Sequence, residues 1–477
     1  MYLKNQAVSG LKWSSISKFG GQFIQFITLI ILARLLDPED FGLMASAMVV
    51  IGFVNVFRDL GLSSAIIQKK EISIELFSSV FWLSVISGII LMLLLIIFSV
   101  QISYFFNAVD LIPIIRVLAI GFVFSGFSIL QQALLEKELR FKLIAKFELF
   151  SIIISAVIGI SFALNNYGVW SLVFQNLAYT FIFSLLIGIK LPQKPRMIFK
   201  WSQIKSVANF SLNLSGFNIL NYFVRNADYI LIQKYLGAQS LGYYTLAYRI
   251  MLYPLQNISG IFIRVMYPVF SKIQDDNKKL QDIFLKIVNS IALLSFPLML
   301  GLFAISDNFI TVVFGMKWQP VITLILILSP LGLLQSVYTP AGLLFQTKAR
   351  TDLWFKWGLI TGILFVSAFW FGLKWGISGV AIAYLIVNLI VIYPGLAIPF
   401  KLIELKVSRF LHSLSRTFII SFIMFVIIIN IKLILNQYLA LQTSLIIIVL
   451  LGIIIYLAIS LLYNKERLSY IYFSLRS

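Results

Sequence analysis

The sequence predicts an all-α integral membrane protein of about fourteen transmembrane helices. Three observations predict it. Of the 477 residues, 60% are hydrophobic and only 12% are charged, too few charges to cover a water-facing surface. The apolar residues gather in segments of about 20 residues or more, the length a helix needs to cross hydrocarbon. The cations alternate in density from one connection to the next.

The spans are expected at residues 13–34, 41–63, 77–99, 112–134, 143–163, 168–189, 206–232, 241–266, 286–305, 319–343, 353–373, 376–399, 410–431 and 440–463. The first follows MYLKNQAVSGLKWSS, which lacks a compact apolar core with a small-residue cleavage site, so it reads as a retained span and not a signal peptide. The second closes at Asp59-Leu60-Gly61-Leu62, and the fourth opens at Pro113. The sixth opens at Asn166-Tyr167-Gly168-Val169, the tenth at Pro320 and the twelfth at Lys374-Trp375-Gly376-Ile377. Runs such as Leu91 to Ile97 and Leu445 to Ile455 are continuously apolar, unlike the short alternating strands of a β-barrel. The gaps are short, so no soluble domain is inserted.

The net charge is +20, and its distribution assigns it to orientation in the membrane and not to nucleic acid. Of 38 Lys/Arg, 26 fall on the N-terminus, every second connection and the C-terminus, and 5 on the other seven connections. This is the positive-inside pattern. It places both termini in the cytoplasm and supports an even number of spans. With 0 cysteines, disulfides and thiolate metal sites are excluded, as befits a bacterial inner membrane. No Gly-rich phosphate-cradling loop, His-rich metal constellation or carboxylate pair in an evident cleft is present. The single histidine, His412, lies beside Arg409 at a helix end, and Asp275-Asp276 share a solvated turn with Lys278-Lys279. No enzyme and no cofactor are therefore expected; a membrane polymerase or ligase would need a large outer loop, and the outer loops here are short.

The pattern repeats. Ala33 to Gly42 (ARLLDPEDFG) aligns with Gln233 to Gly242 (QKYLGAQSLG), each lying between two apolar segments. Asp59-Leu60-Gly61-Leu62 aligns with Ile258-Ser259-Gly260-Ile261, Pro113 with Pro320, and the tetrapeptide at Asn166 with that at Lys374. Spans one to six thus correspond to spans seven to twelve. An even number per copy gives parallel repeats, two like-oriented six-helix lobes with a cleft between them. Gly42 and Gly242 are expected to start the second helix of each lobe. The expected domains are a first lobe over 1–190, a basic cytoplasmic linker over 191–205, a second lobe over 206–400, and two added spans with a tail over 401–477.

Polar residues inside spans mark the cleft, because polar groups turned to lipid are costly. Ser14, Lys18, Gln22 and Gln25 form one stripe on span one. Asn213, Asn221, Arg225 and Asp228 share a broad face of span seven, with Asn218 at its margin. Spans three, thirteen and fourteen have little comparable. Lys18, Gln22, Gln25, Asn221, Arg225 and Arg249 are the candidate substrate-binding residues, a cationic wall for an anionic substrate, with Asp228 as counter-ion or ion-coupling site. The alternative is a set of salt bridges that lock helices; Arg225 and Asp228 lie three apart and can pair within one helix. Arg58, Asp59 and Arg264 sit near inner span ends, as gate pairs or interfacial anchors. Arg116 reads as an outer anchor, and Glu148 as a partner for Lys146 or another loop cation. Tyr243, Tyr244, Tyr248 and Tyr253 offer rings with hydroxyls, for packing and interface roles or for stacking on sugar.

At ARLLDPEDFGLMA (Ala33–Ala45), DLGLSSAIIQ (Asp59–Gln68) and LGYYTLAYRIMLYPLQNISGIFIRVMYPVFSKIQDD (Leu241–Asp276) the chain resembles the polysaccharide-transport branch of the MOP exporter superfamily. It is similar to Wzx-type flippases, most of all to the colanic-acid and teichuronic-acid exporter group. The resemblance implies a V-shaped, MATE-like pair of lobes that rocks between inward-open and outward-open states. It implies transport of undecaprenyl-diphosphate-linked oligosaccharide across the bacterial cytoplasmic membrane, for O-antigen, capsule, exopolysaccharide or teichuronic-type polymer. The implied partners are that lipid-linked oligosaccharide, membrane lipids, and the polymerase and chain-length machinery. Proton or sodium coupling through Asp228 is one option. The same superfamily holds cation-coupled drug and small-molecule antiporters, which often use carboxylates; span one has none in its interior.

Overall fold

An apolar run with no water-facing side folds as a helix because a helix satisfies its own backbone N–H and C=O groups. The structure, a computed structural model, describes residues 2–58, 66, 72–189, 195–201 and 221–463, with side chains placed for residue 13 and from residue 17 onward, 256–265 excepted. Among these residues the regular structure is helical, with no strand. We number the helices α1 (Tyr2–Leu35), α2 (Pro38–Arg58), α3 (Ile74–Phe106), α4 (Leu111–Lys137), α5 (Phe141–Leu164) and α6 (Val169–Ile189). The helical stretch Ala227–Lys272 is broken at Gly237, whose φ of 81° and ψ of 175° are not helical, into α7 (227–236) and α8 (238–272). Then follow α9 (Asn277–Phe309), α10 (Pro320–Tyr338), α11 (Thr351–Gly372), α12 (Gly376–Lys401), α13 (Val407–Tyr438) and α14 (Leu441–Tyr463). Thirteen of the fourteen expected spans fall on one of these helices; of the seventh, 206–232, residues 206–220 lie outside the described residues. Eleven described stretches are long and apolar enough to cross a membrane, one of them, Thr351–Lys401, containing two helices.

Local chemistry sets the boundaries. Ser73 Oγ accepts the Leu76 N–H at 3.2 Å and caps α3. The Asp276 carboxylate accepts the Lys279 N–H at 3.0 Å and caps α9. Pro38 opens α2 where its missing N–H costs nothing, and Asp40 Oδ2 reaches back to the Asp37 N–H at 2.9 Å. Asn107, at φ 53°, ends α3 in the left-handed conformation that asparagine tolerates.

The described residues form two compact units, Met1–Gly242 and Tyr243–Ser477, and the division falls inside α8. In the first, α3 packs on α4, α5 on α6, and α4 on α6. In the second, α9 packs on α10, α11 on α12, and α10 on α12. These are the same three pairings six helices later, so the repeat read in the sequence is also a repeat in packing. The first unit adds α1 against α5. The second adds α13 and α14, held chiefly by α9.

The added helices are not joined by apolar contact alone. Arg409 of α13 donates to Gln281 Oε1 and Asp282 Oδ1 on α9 at 2.7 and 3.0 Å. Tyr456 of α14 donates to the Leu293 carbonyl at 2.7 Å. Lys432 meets Asp307 at 2.8 Å, and the Asn308 and Asn436 amides bond reciprocally at 2.9 and 3.1 Å. Spans thirteen and fourteen thus carry more polar function than their composition suggests, spent on α9.

The turns of the two repeats meet within the first unit. A Cβ added to Gly42 would stand 1.7 Å from the Ala238 carbonyl oxygen, and one added to Gly242 would stand 1.7 Å from the Pro38 carbonyl oxygen. The contact is reciprocal, because Gly42 corresponds to Gly242 and Pro38 to Ala238. Both glycines lie in the second turn and not at the helix start. Pro38 and the break at Gly237 begin α2 and α8 four residues earlier than expected. Below the crossing, Ser46 Oγ donates to Gln233 Oε1 at 2.7 Å, with both residues buried.

Gly42→Val and Gly242→Val are each expected to cost about 2–3 kcal/mol or more, because the added carbons meet backbone that cannot step aside. Gly188→Ala, with nothing within 4 Å of its new Cβ, should change stability by less than about 1 kcal/mol. Thermal unfolding of the purified variants in one detergent checks the contrast; equal midpoints would refute the packing argument.

Candidate substrate-binding site

The polar stripe of α1 flanks its packed face. Ser17, Gly21, Thr28 and Leu32 are buried, and a Cβ on Gly21 would stand 2.8 Å from the Ile152 side chain of α5. Ser17 Oγ donates to Glu148 Oε2 at 2.6 Å, so Glu148 ties α5 to α1, where a cation partner was expected. Roughly 75° round the helix lie Lys18 and Gln22, both half-buried, and Gln25, which is exposed. The Gln22 carbonyl oxygen is enclosed with no hydrogen-bond partner among the described residues. The far side shows Phe19, Phe23 and Ile27, 48%, 65% and 40% exposed, a lipid-type surface. The polar stripe is therefore separate from the apolar outer face. Ser14, Asn213 and Asn218 lie outside the described side chains.

On the chain leading into α7, Asn221 and Arg225 are exposed, whereas Asp228 is 4% exposed. Asp228 Oδ1 accepts the Tyr229 N–H at 2.9 Å. The carboxylate and the guanidinium thus differ in environment although they are three residues apart. Tyr222 fixes this segment against α2. Its hydroxyl donates to the Val49 carbonyl at 2.7 Å and fills the space where a Gly52 side chain would be. The Phe53 ring meets those of Tyr222 and Phe223 in tilted contacts, with centroids 6.0 and 4.9 Å away. Arg225 is thereby presented from a segment anchored by aromatic contacts. Arg58, at the end of α2, is half-buried. Asp59 and the Arg264 side chain lie outside the described residues.

In the second unit, Arg249 on α8 is exposed. Beside it in sequence, Tyr248 belongs to a polar and aromatic network not singled out from the sequence, apart from Tyr248 itself. Gln335 Nε2 on α10 donates to the Tyr384 hydroxyl on α12 at 2.9 Å, and the Tyr248 and Tyr384 hydroxyls are 3.4 Å apart. Asn388, one turn on from Tyr384, donates to the Tyr384 carbonyl at 2.8 Å. The available signal was small: an isolated glutamine in one apolar span, and Tyr384 and Asn388 at i, i+4 spacing in another.

The basic linker also acquires partners. The Arg196 and Lys200 N–H groups donate to Ser78 and Ser79 Oγ, both at 2.9 Å. Trp82 Nε1 donates to the Arg196 carbonyl at 2.9 Å, and Lys200 pairs with Glu75. The described linker residues are thus strapped to the start of α3.

A model of the family described as "Polysaccharide biosynthesis protein" matches residues 31–323. The chain belongs to this family. Among curated members of the wider group, the lipopolysaccharide biosynthesis protein WzxC of Escherichia coli (strain K12) is 32% identical over 398 residues, 82% of this chain and 80% of its own length. The teichuronic acid biosynthesis protein TuaB of Bacillus subtilis (strain 168) is 28% identical over 425 residues, 88% and 87% of the two chains. Among solved structures, the lipid II flippase MurJ in an inward closed conformation superposes with a TM-score of 0.77 at 18% identity, over 96% of this chain and 99% of its own. An inward-facing MATE multidrug transporter gives 0.64 at 15%, over 80% and 94%. The polysaccharide biosynthesis protein family member described here therefore has the helical membrane fold seen in MurJ and in that MATE transporter.

The chain has 0 cysteines, so single cysteines report accessibility without background. Gln25→Cys and Arg225→Cys should react with a water-soluble maleimide at least about tenfold faster than Phe23→Cys, because the thiolate needs water. Equal rates at all three positions in membrane vesicles would show that the stripes do not face an aqueous space.

Proposed function

We propose that the chain is a flippase that carries undecaprenyl-diphosphate-linked oligosaccharide repeat units across the bacterial cytoplasmic membrane for surface polysaccharide assembly. The observation that carries this reading is family membership together with relatives named for polysaccharide biosynthesis over four-fifths of their length. One further relative, 27% identical over 370 residues, is a succinoglycan biosynthesis transport protein of Rhizobium meliloti (strain 1021). The residues support it. Exposed Arg225 and Arg249, with half-buried Lys18, offer charge-assisted hydrogen bonds to a diphosphate. Gln22, Gln25 and Asn221 offer neutral polar groups beside them.

The role is transport and not catalysis. Both termini are cytoplasmic in this reading, following the basic connections. Asp228 is the ion-coupling candidate, since a buried carboxylate can exchange a proton or hold a cation. Arg58, Asp59 and Arg264 act as gate residues. The polymerase and chain-length machinery would receive the product. A second reading, a drug or small-molecule antiporter, rests on likeness to the MATE fold alone.

Deleting the gene should abolish the surface polymer and make lipid-linked repeat units accumulate on the cytoplasmic leaflet. An unchanged polymer, with altered drug sensitivity instead, would favour the antiporter. In the complemented strain, Arg225→Ala or Arg249→Ala should reduce export about ten- to a hundredfold, the worth of one charge-assisted hydrogen bond. Membrane levels on immunoblots should stay unchanged; full export by both variants would remove them from the site.

A further inference from the structure

We propose that Gln335, Tyr384 and Tyr248 form a sugar-reading surface in the second unit, which hydrogen-bonds hydroxyls of the oligosaccharide and leaves the diphosphate to the cations. The inference rests on the flippase reading and adds to it the part of the substrate these three residues take.

Four observations carry it. The first is location. Tyr248, Tyr384 and Gln335 lie about 10, 8 and 15 residues from the starts of α8, α12 and α10, or about 12–22 Å along the helices. All three are half-buried and not enclosed. Half-exposed polar groups at that depth face an aqueous cavity or a ligand, because lipid offers no hydrogen bonds.

The second is an open amide. Gln335 spends one N–H on Tyr384, and no other bond to a described residue accounts for its carbonyl oxygen or second N–H. That oxygen is not among the enclosed unsatisfied atoms, so it stands where a ligand can reach it. A side-chain amide that both donates and accepts suits sugar hydroxyls, which do the same.

The third is preorganisation. The Tyr384 ring is held edge-on by Phe365 at 5.4 Å and Phe369 at 5.5 Å, and it meets the Tyr248 ring at 6.2 Å. Tyr248 in turn stacks on Tyr244 at 5.9 Å. Rings fixed this way lose little entropy on binding. Their hydroxyls stay in place, with the Tyr384 hydroxyl accepting from Gln335 and 3.4 Å from that of Tyr248.

The fourth is chemical character: Gln335, Tyr384 and Tyr248 carry only uncharged amide and hydroxyl groups. Such groups suit the hydroxyls of a glycan, and exposed Arg249, next in sequence to Tyr248, suits an anionic diphosphate.

The test separates sugar from diphosphate. Purified full-length protein in nanodiscs is titrated with two probes: the lipid-linked repeat unit extracted from the deletion strain, and undecaprenyl diphosphate alone. Gln335→Leu and Tyr384→Phe should each weaken binding of the first about tenfold, the worth of one hydrogen bond, and leave the second unchanged. Equal weakening for both probes would mean a merely structural role and overturn the proposal. Unchanged affinity for both would overturn it too, while the flippase reading stands. Failure of the wild type to bind either probe would overturn the flippase reading itself. Tyr384→Phe keeps the ring and its packing, so it remains informative if Gln335→Leu does not fold.

Discussion

Two glycine-to-carbonyl approaches, Gly42 on Ala238 and Gly242 on Pro38, are the constraint on which the first unit depends. Backbones that close leave room for hydrogen only, so the two turns can meet there in one arrangement. The crossing fixes where Ser46 meets Gln233 and where Tyr222 meets Val49. Those contacts orient the segment that presents Asn221 and Arg225. A short turn sequence repeated two hundred residues apart therefore does more than connect spans. It is a self-complementary contact between the two turns, within the first unit.

Elsewhere the chain follows the economy of a protein in lipid. Helices surrounded by hydrocarbon gain little from burying apolar surface against each other, so close packing and interhelical hydrogen bonds hold them together. Gly88 sits against the Phe122 carbonyl and Gly126 against the Ser84 carbonyl, which lets α3 and α4 approach closely. α13 and α14 use the other device, with bonds to α9 from Arg409 near one end to Asn436 near the other. Such bonds contribute on the order of 0.6 kcal/mol each. Their distribution along the whole length of α9 makes the added pair part of the second unit and not a loose appendage.

The spans were legible because continuous apolar runs admit one solution in a bilayer, and the repeat because turns and helix starts depend on Pro and Gly. Even so, Gly42 and Gly242 were read as helix starts; a glycine needed for close approach and one needed for a turn look alike in sequence. The stripe on α1 was legible from spacing alone, and the structure keeps Lys18, Gln22 and Gln25 apart from the outward Phe19, Phe23 and Ile27. The partners of polar groups were not legible. Glu148 meets Ser17, 131 residues away in the chain, and Gln335 meets Tyr384, 49 residues away. Spacing along one helix says which face a residue takes, and nothing about which helix lies opposite. That is also why the neutral network of the second unit escaped notice while the arginines did not: charge in a span is conspicuous, and an isolated Gln or Tyr is not.

The divergence of the two copies follows from the same physics. A duplicated fold inherits two equivalent faces, and a lipid-linked oligosaccharide offers chemically unequal parts. One stretch of the proposed substrate is doubly anionic and calls for guanidinium groups; the next is rich in hydroxyls and calls for amides and phenols. A single cationic wall would hold the diphosphate and read nothing of the sugar, and it would carry a self-repulsion that grows with each added cation. Dividing the work lets the scaffold, fixed by Gly42 and Gly242, remain constant while the polar positions vary. Buried Asp228 beside exposed Arg225 is one such divergence, and open Gln335 held by Tyr384 is another. On this proposal the surface most free to change between relatives that build different polymers is the one of amides and phenols, because replacing one of them alters which hydroxyl is read without disturbing the charges proposed to hold the diphosphate.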